Sequence, residues 1–362
     1  MAHVLVSPLN WGLGHATRDI PIIQALLAHG HDVTIAASGN ALSVLRQEFP
    51  ACPHIEFPDY PVSYSSGHLF VPKFCASFPF MFHGVVREHA TLEALLSKDR
   101  YDLVISDNRL GVFSSKVPSV FVSHQLHYHL PLLYWPAEIL AIPVNQYLHE
   151  RYDRIIVPDN PPGPLSLAGK LSRPDTDVAR ERVFYSGILS GTRQIACTQD
   201  LDYLVVISGP EPQRTFFEKI LLARLGDLGG SGVVLLGSPQ KPEKITRVGD
   251  WTCISYVSTE EKAELMNRAK CVICRSGYTT MMELAELGKD RALLVPTPGQ
   301  TEQEYLSGYY EQMGWYHSVE QRHLDLADDL LMTRHYKGFP VMSKTSENTK
   351  RLYDELLAGY LE

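Results

Sequence analysis

The chain has no run of about 20 apolar residues, the length a membrane-crossing helix requires. Its first residues, MAHVLVSPLNWG, carry neither the basic segment nor the apolar core of a secretory signal, so a cytoplasmic protein is expected. Positive charge is in deficit. Lys and Arg number 33 against 41 Asp and Glu, a formal net charge of -8, which disfavours a nucleic-acid polyanion as partner. Cysteine is sparse, six in 362 residues, and irregularly spaced. Cys271 and Cys274 form a lone C-x-x-C around apolar Val272 and Ile273, with no second pair at zinc spacing. His124, His127 and His129 suit neither one helical face nor a zinc pattern, so no metal is expected. There is no short internal repeat and no low-complexity tract. What is present is the composition of a globular protein, 44% hydrophobic and 20% charged, long enough for two domains.

Strand and helix signals alternate from the start. Short apolar strands are expected at 4–7, 32–37, 54–57, 103–106, 119–123 and 155–157. Between them, 15–29 has Ile20, Ile23 and Leu27 at helical spacing and ends at Gly30. Helices are also expected at 41–49, 74–97 and 132–152, the last interrupted by Pro136 and Pro143. Alternation with crossover helices implies a parallel sheet. The texture then changes to VPDNPPGPLSLAGKLSRPDTD, rich in Pro, Gly, Ser and Asp, which reads as a linker. A second alternating set follows, with strands expected at 184–186, 204–207, 233–236, 253–255, 271–274 and 292–295. The division expected is 1–165, a linker 166–182 and 183–344, with an amphipathic terminal helix at 345–362.

The richest run is CRSGYTTMMELAELGKDRALLVPTPGQTEQEYLSG, residues 274–308. It reads as strand, tight turn, helix, strand, loop, helix. A helix N-terminus presents free N–H groups and partial positive charge, so the turn at Arg275, Ser276 and Gly277 suits a diphosphate. Thr279 and Thr280 sit in the first helical turn. Glu283 follows one turn later, where a carboxylate can accept two hydrogen bonds from a ribose diol. Gln303 and Glu304 open the next helix, placed for sugar hydroxyls.

This run resembles the nucleotide-sugar signature of GT-B glycosyltransferases. It is closest to the lipid-intermediate N-acetylglucosaminyltransferases (MurG-like) and the UDP-glycosyltransferases. The resemblance implies a serine–glycine turn by the diphosphate, a helix glutamate on the ribose and a glutamine pair on the donor sugar. Ser276, Gly277, Thr280, Glu283 and Gln303 match that pattern, while Glu304 replaces the second glutamine. It also implies an α/β GT-B architecture, two Rossmann-like doubly wound domains, with the terminal helix crossing back onto the first. Relatives carry a glycine-rich phosphate loop after the first strand of the second domain. Here that place is Ser208-Gly209-Pro210-Glu211, with one glycine. Arg193 is a candidate for the donor phosphates or a solvated surface arginine.

The loop Asn10-Trp11-Gly12-Leu13-Gly14-His15 lies between the first strand and first helix, at the carboxyl edge where open α/β sheets bind ligands. As a dinucleotide fingerprint it fits poorly. Thr17 stands at the third glycine, and the strand through Ala36 and Ala37 lacks a terminal acid. The turn resembles the N-terminal loop of UDP-glycosyltransferases, where the histidine is general base on the acceptor hydroxyl; Gly14 is also assigned to the donor side. The other reading of His15 is a helix-cap residue. A base needs an orienting group, and Asp107 ends a strand on the same edge. Asp107 reads equally as an N-cap. Asn10, Trp11, Asn108, Arg109, His124 and Gln125 share this edge and form the candidate acceptor side.

Segments 68–86 and 130–144 are aromatic and nearly uncharged, consistent with buried helices, a peripheral membrane face or a hydrophobic acceptor pocket. The expected activity is metal-independent transfer, with inversion and without a cofactor, from a nucleotide-diphosphate sugar, UDP-linked, to a glycan, lipid-linked or small-molecule hydroxyl. The site is expected inside the cell, with contact at the inner face of the plasma membrane one option. Alternatives are a nucleotide-sugar epimerase of the same fold, a non-catalytic nucleotide-sugar-binding protein and an NAD oxidoreductase.

Overall fold

A computed structural model describes residues 1–59, 70–127, 146–147, 149–237 and 245–362. The chain divides into two compact units, 1–63 with 71–191 and 343–362, and 64–70 with 192–342.

The first unit is built on a seven-stranded sheet. Its strands are β1 (His3–Pro8), β2 (Asp32–Ala37), β3 (His54–Glu56), β4 (Leu103–Asp107), β5 (Ser119–Val122), β6 (Arg154–Val157) and β7 (Val183–Tyr185). They are ordered β3-β2-β1-β4-β5-β6-β7, all parallel. β4 and β5 are buried throughout, as expected of parallel strands covered on both faces. α1 (Leu13–Ala28) lays Ile20, Ile23 and Leu26 into the core and stops where Gly30 turns with φ 79. Leu27, expected inward, is exposed; Leu26, one residue earlier, takes that face. α2 (Gly39–Glu48) and α3 (Phe70–Leu96) follow. The terminal helix Thr345–Leu352 continues through the π-helical turn Tyr353–Leu357. Leu352, Leu356 and Leu361 join the core around β1 and β2, and Tyr353 Oη meets His31 Nε2 at 2.6 Å.

The boundary lies later than composition implies. Segment 166–182 is no linker, and β7 is the edge strand of the first sheet, not a strand of the second half. Asp159 organises the Pro/Gly-rich stretch. Its buried carboxylate accepts hydrogen bonds from Ser166 Oγ (2.8 Å), Leu167 N (2.7 Å) and Ala168 N (3.1 Å), and Leu167, Ala168 and Leu171 pack inside. Asp159→Ala orphans two buried N–H groups, so unfolding in urea should show a loss of about 1–3 kcal/mol.

The second unit repeats the plan with β8 (Leu201–Val206), β9 (Gly232–Leu235), β10 (Ile245–Val248), β11 (Trp251–Ile254), β12 (Ala269–Cys274), β13 (Ala292–Leu294) and β14 (His317–Ser318). The order is β10-β11-β9-β8-β12-β13-β14, parallel except for the β10–β11 edge pair. Each sheet therefore reverses its strand order beside its first strand. The crevice lies between β1 and β4 in one and between β8 and β12 in the other, where open α/β sheets take ligands.

Candidate active site

In the first unit, Pro8 and Asp107 pair in register at the carboxyl ends of β1 and β4. Gly12, with φ 93, makes the turn into α1, and no side chain caps that helix. His15 follows in its first turn. Its Nδ1 is 2.8 Å from Asp107 Oδ1. Asp107 is fully buried. Arg18 grips the same carboxylate with both prongs, Nε donating to Oδ2 at 2.5 Å and Nη2 to Oδ1. Arg18 Nη1 is 3.0 Å from His124 Nδ1. His15, Asp107 and His124 are thus brought together by an arginine.

Burial pushes the Asp107 carboxyl up, but Arg18 and His15 outweigh it and hold it well below the usual carboxylate range. Burial lowers the His15 imidazole, Asp107 opposes, and Arg18 and His124 lower it further; the net shift is downward. His15 is therefore neutral at neutral pH beside an ionised aspartate. Asp19 lies next to them, fully buried, and its carboxyl is pushed well above the ordinary value by burial and by Asp107.

Other residues expected on the acceptor side have structural duties. Asn10 Oδ1 accepts from Ala41 N at 3.1 Å, and its amide sits where a Cβ on Gly39 would be, so Asn10 caps α2. Arg109 is fully buried. It donates from Nε to Pro8 O (2.9 Å) and from Nη1 to Pro58 O and Glu88 Oε1 (both 2.6 Å), so it fastens the sheet edge to α3 rather than facing an acceptor. Trp11, Asn108 and Gln125 are half-buried, Asn108 with φ 54. His127 Nδ1 lies 2.6 Å from Asp175 Oδ1; His129 lies outside the described residues, as do segments 60–69 and 128–145.

In the second unit Gly277 begins the helix Tyr278–Leu287 without a side-chain cap and with no acid in the first turn. Its leading N–H groups thus face the loop end, with half-buried Thr279 and Thr280 beside them. Glu283 is buried, and Lys262 Nζ donates to both its oxygens at 2.7 Å. Gln303 Oε1 accepts from Thr297 N at 2.9 Å, and its Nε2 lies 3.7 Å from where a Cβ on Gly277 would stand. Glu304 is exposed and accepts from Gly299 N at 2.7 Å. Gly209 turns with φ 111 beside half-buried Ser208, while Glu211 pairs with Arg214. Arg193 is exposed.

Two expected donor contacts are otherwise employed. Ser276 Oγ donates to Gln303 O at 2.9 Å and accepts from Ser307 Oγ at 2.9 Å, so its hydroxyl ties the turn after β12 to the helix Thr301–Gln312. Arg275 is buried over the Phe217 ring, its carbon 3.9 Å from the centroid. Its guanidinium donates to Val295 O, Pro296 O, Gln213 O and Gln321 Oε1. Burial lowers its pKa to about 9. Both side chains hold the loop instead of reaching a diphosphate. Arg275→Ala should cost about 3 kcal/mol or more in a denaturant titration, since it orphans several buried carbonyls.

Residues missed from sequence are Arg18, Asp19 and Lys262. Arg18 carried a usable signal, since it stands three residues after His15 and so on the same helical face. Lys262 carried none, because its contact with Glu283 spans two separate helices, Thr259–Arg268 and Tyr278–Leu287.

Residues 238–352 match the glycosyltransferase family 28 C-terminal domain. An uncharacterized glycosyltransferase from Methanosarcina acetivorans is 25% identical over 333 residues, 84% of this chain and 80% of that protein. Among solved structures, the glycosyltransferase of kitacinnamycin matches with a TM-score of 0.62 at 16% identity, covering 99% of this chain and 95% of that one. A spinosyn rhamnosyltransferase complexed with thymidine diphosphate matches at 0.61 and 16%, covering 99% and 96%. Acinetobacter baumannii MurG matches at 0.56 and 12%, covering 99% and 100%. These are GT-B structures with two Rossmann-like domains, and the present fold is of that class.

Proposed function

We propose that this chain, a MurG-like glycosyltransferase of GT-B fold, moves a sugar from a nucleoside-diphosphate sugar to an acceptor hydroxyl with inversion. The observation that carries the reading is the His15–Asp107 pair at 2.8 Å on the carboxyl edge of the first sheet. Neutral His15 takes the acceptor proton at Nε2 as the oxygen attacks the anomeric carbon; Asp107 orients the ring and stabilises the imidazolium that forms. The acceptor oxygen forms its bond as the diphosphate oxygen leaves on the opposite face, so the configuration inverts.

The uncapped helix start at Gly277 supplies main-chain N–H groups for the leaving diphosphate, a role that needs no metal. Glu283 is assigned the ribose and Gln303 with Glu304 the donor sugar. A UDP-sugar is the donor proposed. The spinosyn enzyme, solved with thymidine diphosphate, supports a pyrimidine nucleoside diphosphate. The acceptor proposed is a glycan, lipid-linked or small-molecule hydroxyl. Phe80 and Phe82 stand exposed on α3, which supports peripheral membrane contact through that helix. Among the described residues no helix is long and apolar enough to cross a membrane.

The test is a thermal-shift panel of nucleotide sugars, followed by transfer with the best binder and NMR of the anomeric centre. A UDP-sugar should raise Tm, and the product should show the opposite anomeric configuration. Retained configuration would refute single displacement. The pH profile follows from His15. A base is lost as it protonates, so kcat/KM falls as pH drops through its pKa. Because that pKa is lowered, the acidic midpoint should lie below the ordinary histidine value of about 6.5. A midpoint above that value would count against His15.

A further inference from the structure

We propose that Arg18 is a positioning residue that holds the proton of His124 on Nε2 and anchors the Asp107 carboxylate that leaves His15 bare at Nε2, so that the two imidazoles carry opposite proton placements. The site then holds one bare ring nitrogen, on His15, and one that carries a proton, on His124. The functional part of this inference rests on the reading of His15 as base; the proton placement itself does not.

A guanidinium has five N–H donors and no acceptor. Arg18 Nη1 lies 3.0 Å from His124 Nδ1. The imidazole nitrogen must therefore accept, which puts the proton of neutral His124 on Nε2. At His15 the same logic gives the opposite result. Its Nδ1 has two neighbours, Asp107 Oδ1 at 2.8 Å and Arg18 Nη2 at 2.9 Å. If Nδ1 were bare, its lone pair would face a carboxylate oxygen within hydrogen-bond distance, which is repulsive. With the proton on Nδ1 it donates to Asp107, while Arg18 Nη2 keeps its own bond to Oδ1. His15 is then bare at Nε2, the form a general base requires.

The formal charges around the two rings balance. Arg18 contributes one positive charge and Asp107 one negative, and all of Arg18, Asp107 and His124 are buried. Asp19, the other titratable group here, is fully buried beside Arg18. As an uncharged acid it leaves that balance intact. Arg18 itself bonds Asp107 and His124 and lies beside His15 without taking its proton, so its action runs through them.

The experiment uses the full chain labelled with ¹⁵N-histidine. Two-bond ¹⁵N–¹H spectra report which ring nitrogen carries the proton, with His15→Gln and His124→Gln used to assign the signals. At neutral pH the wild type should show His15 protonated at Nδ1 and His124 at Nε2. In Arg18→Met, with folding checked by its thermal transition, His124 should relax to a mixture of tautomers. The transfer kcat should fall about 10–100-fold with the donor KM unchanged. Arg18→Lys keeps the charge but lacks the planar fork, and should fall between the two. The same tautomer on both histidines in the wild type would overturn the proposal, even if Arg18→Met does not fold. Unchanged tautomers in a folded Arg18→Met would overturn it equally. Neither spectrum needs a substrate, so failure of the transferase reading, seen as full activity in His15→Ala, is a separate outcome.

Discussion

His15→Ala is expected to slow single-turnover transfer by about 10²–10⁴ at saturating donor, the usual worth of a general base. UDP affinity should stay nearly unchanged, because the residues assigned to the nucleotide lie in the other compact unit. Asp107→Asn should also slow transfer. An amide can present its N–H toward His15 Nδ1 and so favour the wrong tautomer, and it no longer stabilises the imidazolium. The buried Arg18 is then left without its carboxylate, so Asp107→Asn should also lose stability, whereas His15→Ala, at a half-buried position, should lose less. Wild-type rates in His15→Ala would refute the base assignment outright. Equal losses of rate and of nucleotide affinity would point to a folding defect instead.

The second large effect concerns Glu283. Its carboxylate is buried and fully engaged by Lys262. For a ribose diol to bond it, the ammonium must share or yield the oxygens. Glu283→Ala should weaken UDP binding by roughly 2–4 kcal/mol, two charge-assisted hydrogen bonds less partial compensation by water. That is about 30- to 1,000-fold in Kd by calorimetry. The freed Lys262 is a quarter exposed and regains water, so the fold should survive. Affinity equal to wild type would leave Glu283 as the structural partner of Lys262 and nothing more. Lys262→Met separates the two duties: it removes the competitor yet keeps the carboxylate.

Much of the architecture was legible because parallel strands announce themselves. Runs such as LVIS at 103–106 and CVIC at 271–274 are apolar on both faces, and helical patterns lie between them. The strand ends then put His15 near Asp107, since a residue after β1 and a residue ending β4 must share an edge. What stayed hidden depended on contacts distant in sequence. Pro, Gly and Ser in 158–177 looked like a linker because composition does not reveal that Asp159 collects the loop's N–H groups around one buried carboxylate. Arg275 and Ser276 sit where a diphosphate contact was expected, but a motif does not say which polar groups the fold itself consumes. Asn10 was hidden likewise, since its partner Ala41 opens a helix on the far side of β2.

The Arg109–Glu88 pair has a mechanical meaning. Both side chains are completely enclosed, and the guanidinium also holds the carbonyls of Pro8 and Pro58. Sliding α3 by one turn would strand a charge in a dry interior, a displacement costing several kcal/mol. The helix that displays Phe80 and Phe82 is therefore riveted to the last residue of β1, immediately before the loop that leads to His15. An acceptor or membrane surface held there as proposed would meet a fixed platform. Under the proposed function, the orientation of an acceptor on that platform, not an adjustment of the helix, would decide which hydroxyl meets His15.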